Sequence, residues 1–250
     1  MNPDSARVRA RDRHVHAIRS DTDLVSAVVR TASPDAPIPA CPGWDVRRLV
    51  THLGAVHRWA TSALVHGRPP DSDAAAGPPA DDELAVWIVD GAAALIDAVQ
   101  AADPEADTWH PFPLEQRAWV WGRRQAIETA VHRWDAQHAV GDPSPIDAQL
   151  AGEGIHEYVE MGLPRVLQRE QVGAPSTSLH VHCTDVDGEW LLWGDGGDYR
   201  MLPIHDKGDA ALRGPAADLL LVLMGRLDRS VLDIVGDPAA AAAWLDLPGW

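Results

Sequence analysis

The sequence predicts a two-domain α+β protein, with an N-terminal four-helix bundle and a smaller C-terminal α+β domain. Two observations support this prediction. Apolar residues recur at helical spacing in four segments of roughly the first 141 residues. After "GDPSPID" the pattern changes to one helix followed by short alternating segments. The expected domains are therefore residues 1–145, the bundle, and 146–250, the α+β domain.

The four N-terminal helices are separated by segments rich in turn residues. "SPDAPIPACPGW" closes the first helix with several prolines, and Asp45 then begins the second, because aspartate caps helix N-termini well. A polar segment rich in proline and alanine, residues 67–80, is expected to be a linker. The expected helices cover about 14–31, 45–66, 81–101 and 121–140.

The C-terminal domain is expected to begin with a helix over about 147–169. Four later segments alternate between apolar and polar residues, which is typical of strands: "TSLHVHCTD", "GEWLLWG", "YRMLPI" and "SVLDIVG". Before the last of them, "GPAADLLLVLMGRL" has the apolar run of a packed helix, and "DPAAAAAWLDL" predicts a short closing helix.

Composition excludes several classes of protein. The formal charge of −16 repels phosphate, so we expect no nucleic-acid partner. Two cysteines, Cys41 and Cys183, are too few for a disulfide framework. The N-terminus is charged and lacks the apolar region of a signal peptide, and no run of 18 apolar residues occurs. We therefore expect a cytoplasmic location and no membrane partner.

Two helices carry residue types that bind metals. "IETAVHRWDAQHAVG" places Glu128 four residues before His132, so both lie on one helix face. In "RRLVTHLGAVHRWA", His52 projects from an apolar stripe. Each stretch alone is explained as well by an ion pair or by a hydrogen bond between helices. Together they offer two imidazoles and a carboxylate, a set that suits zinc and leaves one coordination position open.

Three stretches carry a resemblance that covers nearly the whole chain: "PACPGWDVRRLVTHLGAVHRWA", "ETAVHRWDAQHAVGD" and "ALRGPAADLLLVLMGR". They resemble the mycothiol-dependent maleylpyruvate isomerase family. The resemblance implies a DinB-like metal-binding bundle followed by a domain similar to sterol-carrier folds. It also implies that His52, Glu128 and His132 bind the metal and that a C-terminal arginine is catalytic. We assign that role to Arg226, in "LLLVLMGR", in preference to Arg213.

The resemblance implies a zinc enzyme that activates a low-molecular-weight thiol, mycothiol, for attack on a small electrophile. The outcome would be isomerisation or S-transfer, with Arg226 holding a substrate carboxylate or stabilising enolate charge. Two alternatives remain: a zinc hydrolase such as an amidase, and a non-catalytic ligand-binding protein. The expected partners are the thiol and the electrophile, and the expected assembly is a monomer or a small homo-oligomer.

Four further histidines and one aspartate are of residue types that could join a site. His57 and His138 lie at the wrong helical phase to join the metal set and are predicted to be edge residues. Asp135 is either a carboxylate that supports His132 or the partner of a neighbouring arginine in a surface ion pair. His180 and His182 alternate on one strand and are predicted to face solvent.

Overall fold

The computed structural model describes residues 3–70 and 77–247. The chain divides into two compact units, Met1–Pro145 and Ile146–Trp250. The first contains a four-helix bundle, and the second contains helices around a five-stranded sheet. The predicted fold class is confirmed. The centre of the expected linker, residues 71–76, lies outside the described residues.

The bundle consists of α1 (Pro3–Thr31), α2 (Val46–His66), α3 (Leu84–Ala101) and α4 (Trp119–Ala139). α1 begins earlier than predicted, because its first turns are rich in charged residues and show no apolar stripe. α1 and α2 both pack against α3 and α4, so they occupy opposite corners of the bundle. α2 and α4 are therefore neighbours, and their facing surfaces can share a site.

α2 begins and ends as its sequence predicts. The Asp45 carboxylate accepts a hydrogen bond from the backbone N–H of Arg48 at 2.7 Å, which satisfies a donor that the first turn leaves free. Gly67 ends the helix in the left-handed region (φ 65°) and donates its N–H to the carbonyl of Ala63. Along the helix, Gly54 lies against the Trp87 ring of α3, where a Cβ atom would clash.

The segment Asp81–Ala101, which contains α3, is long and apolar enough to span a membrane by length and composition. A core helix of a bundle meets the same criterion. Here the segment packs against α1 and α2, and it buries Leu84, Ile88, Leu95 and Ile96. These residues contribute to the bundle core.

The second unit begins with one continuous helical segment made of α5 (Ala148–Glu157), a π-helical turn (Tyr158–Gly162) and α6 (Leu163–Glu170). The turn lies just before Pro164, which has no N–H and whose ring clashes with the carbonyl four residues earlier, that of Glu160 within the turn. The carbonyl of Val159, within this turn, accepts a hydrogen bond from the Tyr199 hydroxyl. Tertiary contact thus replaces part of the helical hydrogen bonding.

The sheet has the strand order β3-β2-β1-β4-β5, in which only the β1–β4 pair is parallel. Helices α7 and α8 contact β1 and β4. The bounds are β1 Ser178–Cys183, β2 Glu189–Asp195, β3 Asp198–Leu202, β4 Ala210–Gly214, α7 Ala216–Leu223, β5 Asp233–Gly236 and α8 Pro238–Leu245.

Three C-terminal details differ from the prediction. Strand β4 was missed, because its five residues are short, show no regular alternation of apolar and polar side chains, and are followed almost at once by α7. α7 ends at Leu223, where a longer helix was expected, and Gly225 follows in the left-handed region (φ 72°). The segment "SVLDIVG" is only half strand, since the 3-10 turn Arg229–Val231 precedes β5.

Candidate metal centre in the helical bundle

The three residues predicted to bind a metal come together between α2 and α4. Nε2 of His52 lies 3.0 Å from Oε1 of Glu128, and Nε2 of His132 lies 3.4 Å from the same oxygen. The two imidazole rings are nearly perpendicular, with centroids 5.2 Å apart. One ligand atom from each residue lies within 4.8 Å of the others, so the three could hold one metal ion.

The site is buried on one side and open on the other. The side chains of Glu128 and His132 are 12% and 8% exposed, whereas that of His52 is 36% exposed. Burial, followed by the charges of His132, Arg124 and Arg48, lowers the pKa of His52 to about 4. His52 is therefore neutral near pH 7, which is the form that binds metals.

Asp135 orients His132. Its Oδ2 lies 2.9 Å from Nδ1 of His132, and the Asp135 side chain is fully buried. A carboxylate only accepts hydrogen bonds, so Nδ1 carries the proton and Nε2 keeps its lone pair towards Glu128. Of the two interpretations of Asp135, the structure supports the one in which its carboxylate orients His132. The surface ion pair is wrong, because the neighbouring Arg133 bonds to Asp21.

Arg124 holds the other oxygen of the Glu128 carboxylate. It forms an ion pair with Oε2 of Glu128 across one turn of α4, and both side chains are largely buried. Oε1 is thereby left to face the two histidines. Trp44, in the turn before α2, covers the same histidines, with ring centroids 5.0 Å from His52 and 5.8 Å from His132.

A second set of possible ligands overlaps the first. Sγ of Cys41 lies 3.6 Å from Oδ2 of Asp135, and these two residues could hold a metal together with His132. This set would use the Nδ1 atom that already bonds to Asp135. The first set leaves the contact between Nδ1 of His132 and Asp135 intact, because it uses Nε2 of His132.

His57 was predicted to be an edge residue, and this prediction is wrong. The residue is fully buried, and its Nε2 lies 2.9 Å from the Thr129 hydroxyl of α4. Because Thr129 donates to the carbonyl of Gln125, it accepts from Nε2 of His57. His138 is half-buried, as an edge residue would be, and its ring packs on Trp134.

Both units match known family models. Residues 7–137 match the mycothiol maleylpyruvate isomerase N-terminal domain. The chain belongs to the mycothiol maleylpyruvate isomerase family. Residues 149–243 match the C-terminal domain of the same family. The predicted family, and the prediction that the chain is an enzyme of that family, are confirmed.

Two crystal structures of the mycothiol-dependent maleylpyruvate isomerase, one of them of a mutant, are similar to the chain. Their TM-scores are 0.62 and 0.61 at 14% and 13% sequence identity, and each comparison covers 96% of this chain and 97% of the other. At this identity the similarity shows a shared fold. No curated protein matches the chain.

The two arginines considered for catalysis in this isomerase-family chain lie in different surroundings. Arg226 is half-buried in the turn after α7, and its guanidinium donates to the carbonyl of Met224 at 2.8 Å. Arg213 lies on β4, is half exposed, and has its guanidinium 3.9 Å from the carboxylate of Asp233. The preference for Arg226 remains a proposal.

Sequence reasoning missed a group in the second unit. His180 is buried, so the prediction that it faces solvent is wrong, and it lies with His182, Glu189 and His205 in one cluster. The signal was present in "LHVHC", since histidines two apart on a strand share a face. The partners that complete the cluster come from other elements.

Proposed function

We propose that this chain is a zinc-dependent enzyme that activates a low-molecular-weight thiol, mycothiol, for attack on an electrophilic carbon of a small molecule. The observation that carries the proposal is the convergence of His52, Glu128 and His132, with Asp135 behind His132. Membership of the mycothiol maleylpyruvate isomerase family supports the choice of thiol and reaction.

The ligand set supports zinc as the metal. Two neutral imidazoles and one carboxylate are a common zinc set, and three protein ligands leave a position for a substrate. Bound zinc would favour the thiolate form of a thiol near neutral pH, and the thiolate is the reactive nucleophile.

The protein residues around the ligands have separate roles in this proposal. Asp135 fixes the tautomer and the ring orientation of His132. Arg124 holds the Glu128 carboxylate and, with Arg48, brings positive charge close to His52. This charge favours an anionic thiolate and a substrate that carries carboxylates. His52 is the most exposed ligand and marks the side from which both reactants approach.

The outcome depends on the fate of the thiol adduct. A thiolate that adds to a cis double bond allows rotation about the resulting single bond, and loss of the thiol then gives the isomer. Release of the adduct would instead make the chain an S-transferase. The family favours isomerisation. Arg226 is proposed to hold a substrate carboxylate, because a guanidinium binds such a group through two parallel hydrogen bonds.

The proposal is tested with metal-free and zinc-loaded protein. Conversion of maleylpyruvate is followed with and without mycothiol, and the products are analysed for isomer and thioether. We expect conversion to need both zinc and the thiol. We also expect His52→Ala and His132→Ala to lose the zinc ion of the bundle and the activity together. The matched control is His66→Ala, at the exposed end of the same helix as His52.

The other outcomes each favour a different interpretation. Turnover of amide substrates without a thiol would favour a zinc hydrolase. Bound zinc without activity towards any electrophile would favour a ligand-binding protein. Full zinc content in both histidine variants would show that the assigned site is wrong. Loss of zinc in Cys41→Ser alone would move the metal to the overlapping set.

The proposal includes a cytoplasmic location, because low-molecular-weight thiols are kept reduced there. It includes only small-molecule partners and a monomer or small homo-oligomer. Light scattering of the purified chain measures the oligomeric state.

A further inference from the structure

A cluster of three histidines and one glutamate lies on the sheet of the second unit. His180 and His182 share a face of β1, and Glu189 of β2 is the direct antiparallel partner of His182. His205 comes from the segment between β3 and β4. One ligand atom from each of the four residues lies within 4.8 Å of the others.

The Glu189 carboxylate is the meeting point of the three imidazoles. Oε1 lies 2.9 Å from Nδ1 of His182, and Oε2 lies 2.6 Å from Nδ1 of His205. Nε2 of His180 is 3.6 Å from Oε2. The ring centroids are 5.3 to 5.9 Å apart in all three pairs. Each ring therefore directs one nitrogen towards a common point.

His180 is the residue that a simple ion-pair cluster leaves unexplained. It is only 7% exposed, and the Glu189 oxygen that faces its buried Nε2 lies 3.6 Å away, too far for a normal hydrogen bond. Buried polar atoms in native proteins nearly always have a partner, because leaving one unpaired costs stability.

The segment that carries His205 is held against β1 by separate contacts. The Asp209 carboxylate accepts hydrogen bonds from the backbone N–H and the hydroxyl of Ser178, at 2.7 and 2.8 Å. A Cβ atom on Gly208 would lie 2.9 Å from the backbone nitrogen of His180, so only glycine allows this close approach. The backbone thus brings His205 next to the other three residues without relying on its own ion pair.

We propose that His180, His182, Glu189 and His205 form a second metal site, which binds a divalent transition-metal ion of the zinc type. Imidazole and carboxylate donors in this ratio suit zinc. Four protein ligands complete a tetrahedron, so the site is structural and fastens the β3–β4 segment to β1 and β2. The metal supplies the close partner that Nε2 of His180 lacks at its 3.6 Å distance from Glu189.

The test is the zinc content of the full chain, measured by elemental analysis after loading with zinc and removal of the excess. The wild-type chain is expected to bind two zinc ions, and His182→Ala one. His52→Ala, which removes a ligand of the bundle site, is also expected to bind one, and the double variant none. Added zinc should raise the melting temperature of His52→Ala, because only its second site can bind, and should not raise that of the double variant.

Two further variants serve as controls for the zinc measurement. Asp206→Asn removes a negative charge from an exposed residue next to His205 but removes no ligand, so it should still bind two zinc ions. Glu189→Gln keeps the side-chain shape and removes the ligand charge. It is expected to lose one zinc ion even if His182→Ala does not fold, as judged by circular dichroism.

The outcomes separate this inference from the proposed function. A wild-type chain with one zinc ion, lost in His52→Ala and retained in His182→Ala and Glu189→Gln, overturns the second site. One zinc ion that is retained in His52→Ala and lost in His182→Ala supports the second site and removes the metal from the bundle. If Asp206→Asn and His182→Ala lose equal amounts of zinc, the proposal is also overturned, because zinc would then be bound by surface charge alone.

Discussion

Replacing Asp135 by asparagine tests whether the bundle site is built around an oriented histidine. The substitution keeps the size and shape of the side chain and removes its charge. In the wild-type chain, the fully buried Asp135 carboxylate lies 2.9 Å from Nδ1 of His132, whose side chain is 8% exposed. An amide can accept from Nδ1–H more weakly, or it can donate to Nδ1 and move the ring proton to Nε2. The second arrangement blocks the nitrogen that faces Glu128.

The expected effect follows from the burial of this pair. A hydrogen bond to a charged group contributes about 1.5–3 kcal/mol, and every ~1.4 kcal/mol is tenfold in affinity. Zinc should therefore bind roughly 10- to 100-fold more weakly, the range found for residues that orient metal ligands. Because the pair is buried, added salt should change this difference little.

Zinc affinity is measured by competition with a chelator of known affinity, at low and high salt. Thermal unfolding of the metal-free chains shows whether the fold itself has changed. The control is Asp23→Asn, which removes an exposed carboxylate from α1. An Asp135→Asn chain that binds zinc as tightly as the wild type would refute the orienting role. A large loss of stability with unchanged zinc affinity would assign Asp135 to the core instead.

Three further predictions follow from other contacts. Burial, followed by the charge of Arg58, lowers the pKa of His57 in the folded chain to about 3. In the unfolded chain the imidazole has a pKa of about 6.5, so below that pH the unfolded chain binds a proton that the folded chain does not. The free energy of unfolding therefore falls as the pH drops below about 6.5. At about pH 5, His57 lowers the free energy of unfolding by about 2 kcal/mol. In urea unfolding, metal-free His57→Gln should therefore lose less stability between neutral and acidic pH than the metal-free wild type. Equal losses in the two chains would contradict this prediction. Arg133 has a 3% exposed side chain, and its Nε lies 3.0 Å from the carboxylate of buried Asp21. Arg133→Leu leaves that carboxylate buried without its cation and should lower the free energy of unfolding by about 3–5 kcal/mol. Adding Asp21→Leu removes the buried charge and should recover part of the loss. Arg226→Ala should lower kcat/KM while the zinc content stays constant. Arg226→Lys separates two roles of the arginine. If only a positive charge at the end of α7 is needed, lysine replaces arginine without loss, whereas if Arg226 binds a substrate carboxylate through two hydrogen bonds, lysine loses about 1.5–3 kcal/mol of transition-state stabilisation.

Features that depend on neighbouring residues could be predicted from the sequence. The start of α2 at Asp45 follows from a side chain that reaches a backbone N–H three residues on. The shared face of Glu128 and His132 follows from the helical repeat. His52 required more, because combining it with Glu128 and His132 rested on the chemistry of metal ligands and on the family resemblance. The position of His52 within α2 is explained equally well by an ordinary hydrogen bond between two helices.

The prediction for His57 failed because a single apolar stripe underestimates how much of α2 is buried. α2 packs against both α3 and α4, so its buried surface is wider than one stripe. His57 falls inside that wider surface and finds Thr129 across the helix interface. Its partner lies 72 residues away, and no local pattern identifies it.

The sequence by itself determined the elements with strong local signals: the four bundle helices, the Asp45 cap of α2 and the metal-binding residue types on the face of α4. These depend on backbone periodicity and on contacts within one helical turn. The tertiary structure decided which titratable side chains lose water and which partner each then meets. Asp135 supports His132 only because both are buried. His180 meets His205 only because the β3–β4 segment folds back over β1. Burial sets the energetic cost of an unsatisfied polar atom, and burial is a property of the packed chain, so these roles could not be deduced from residue order alone.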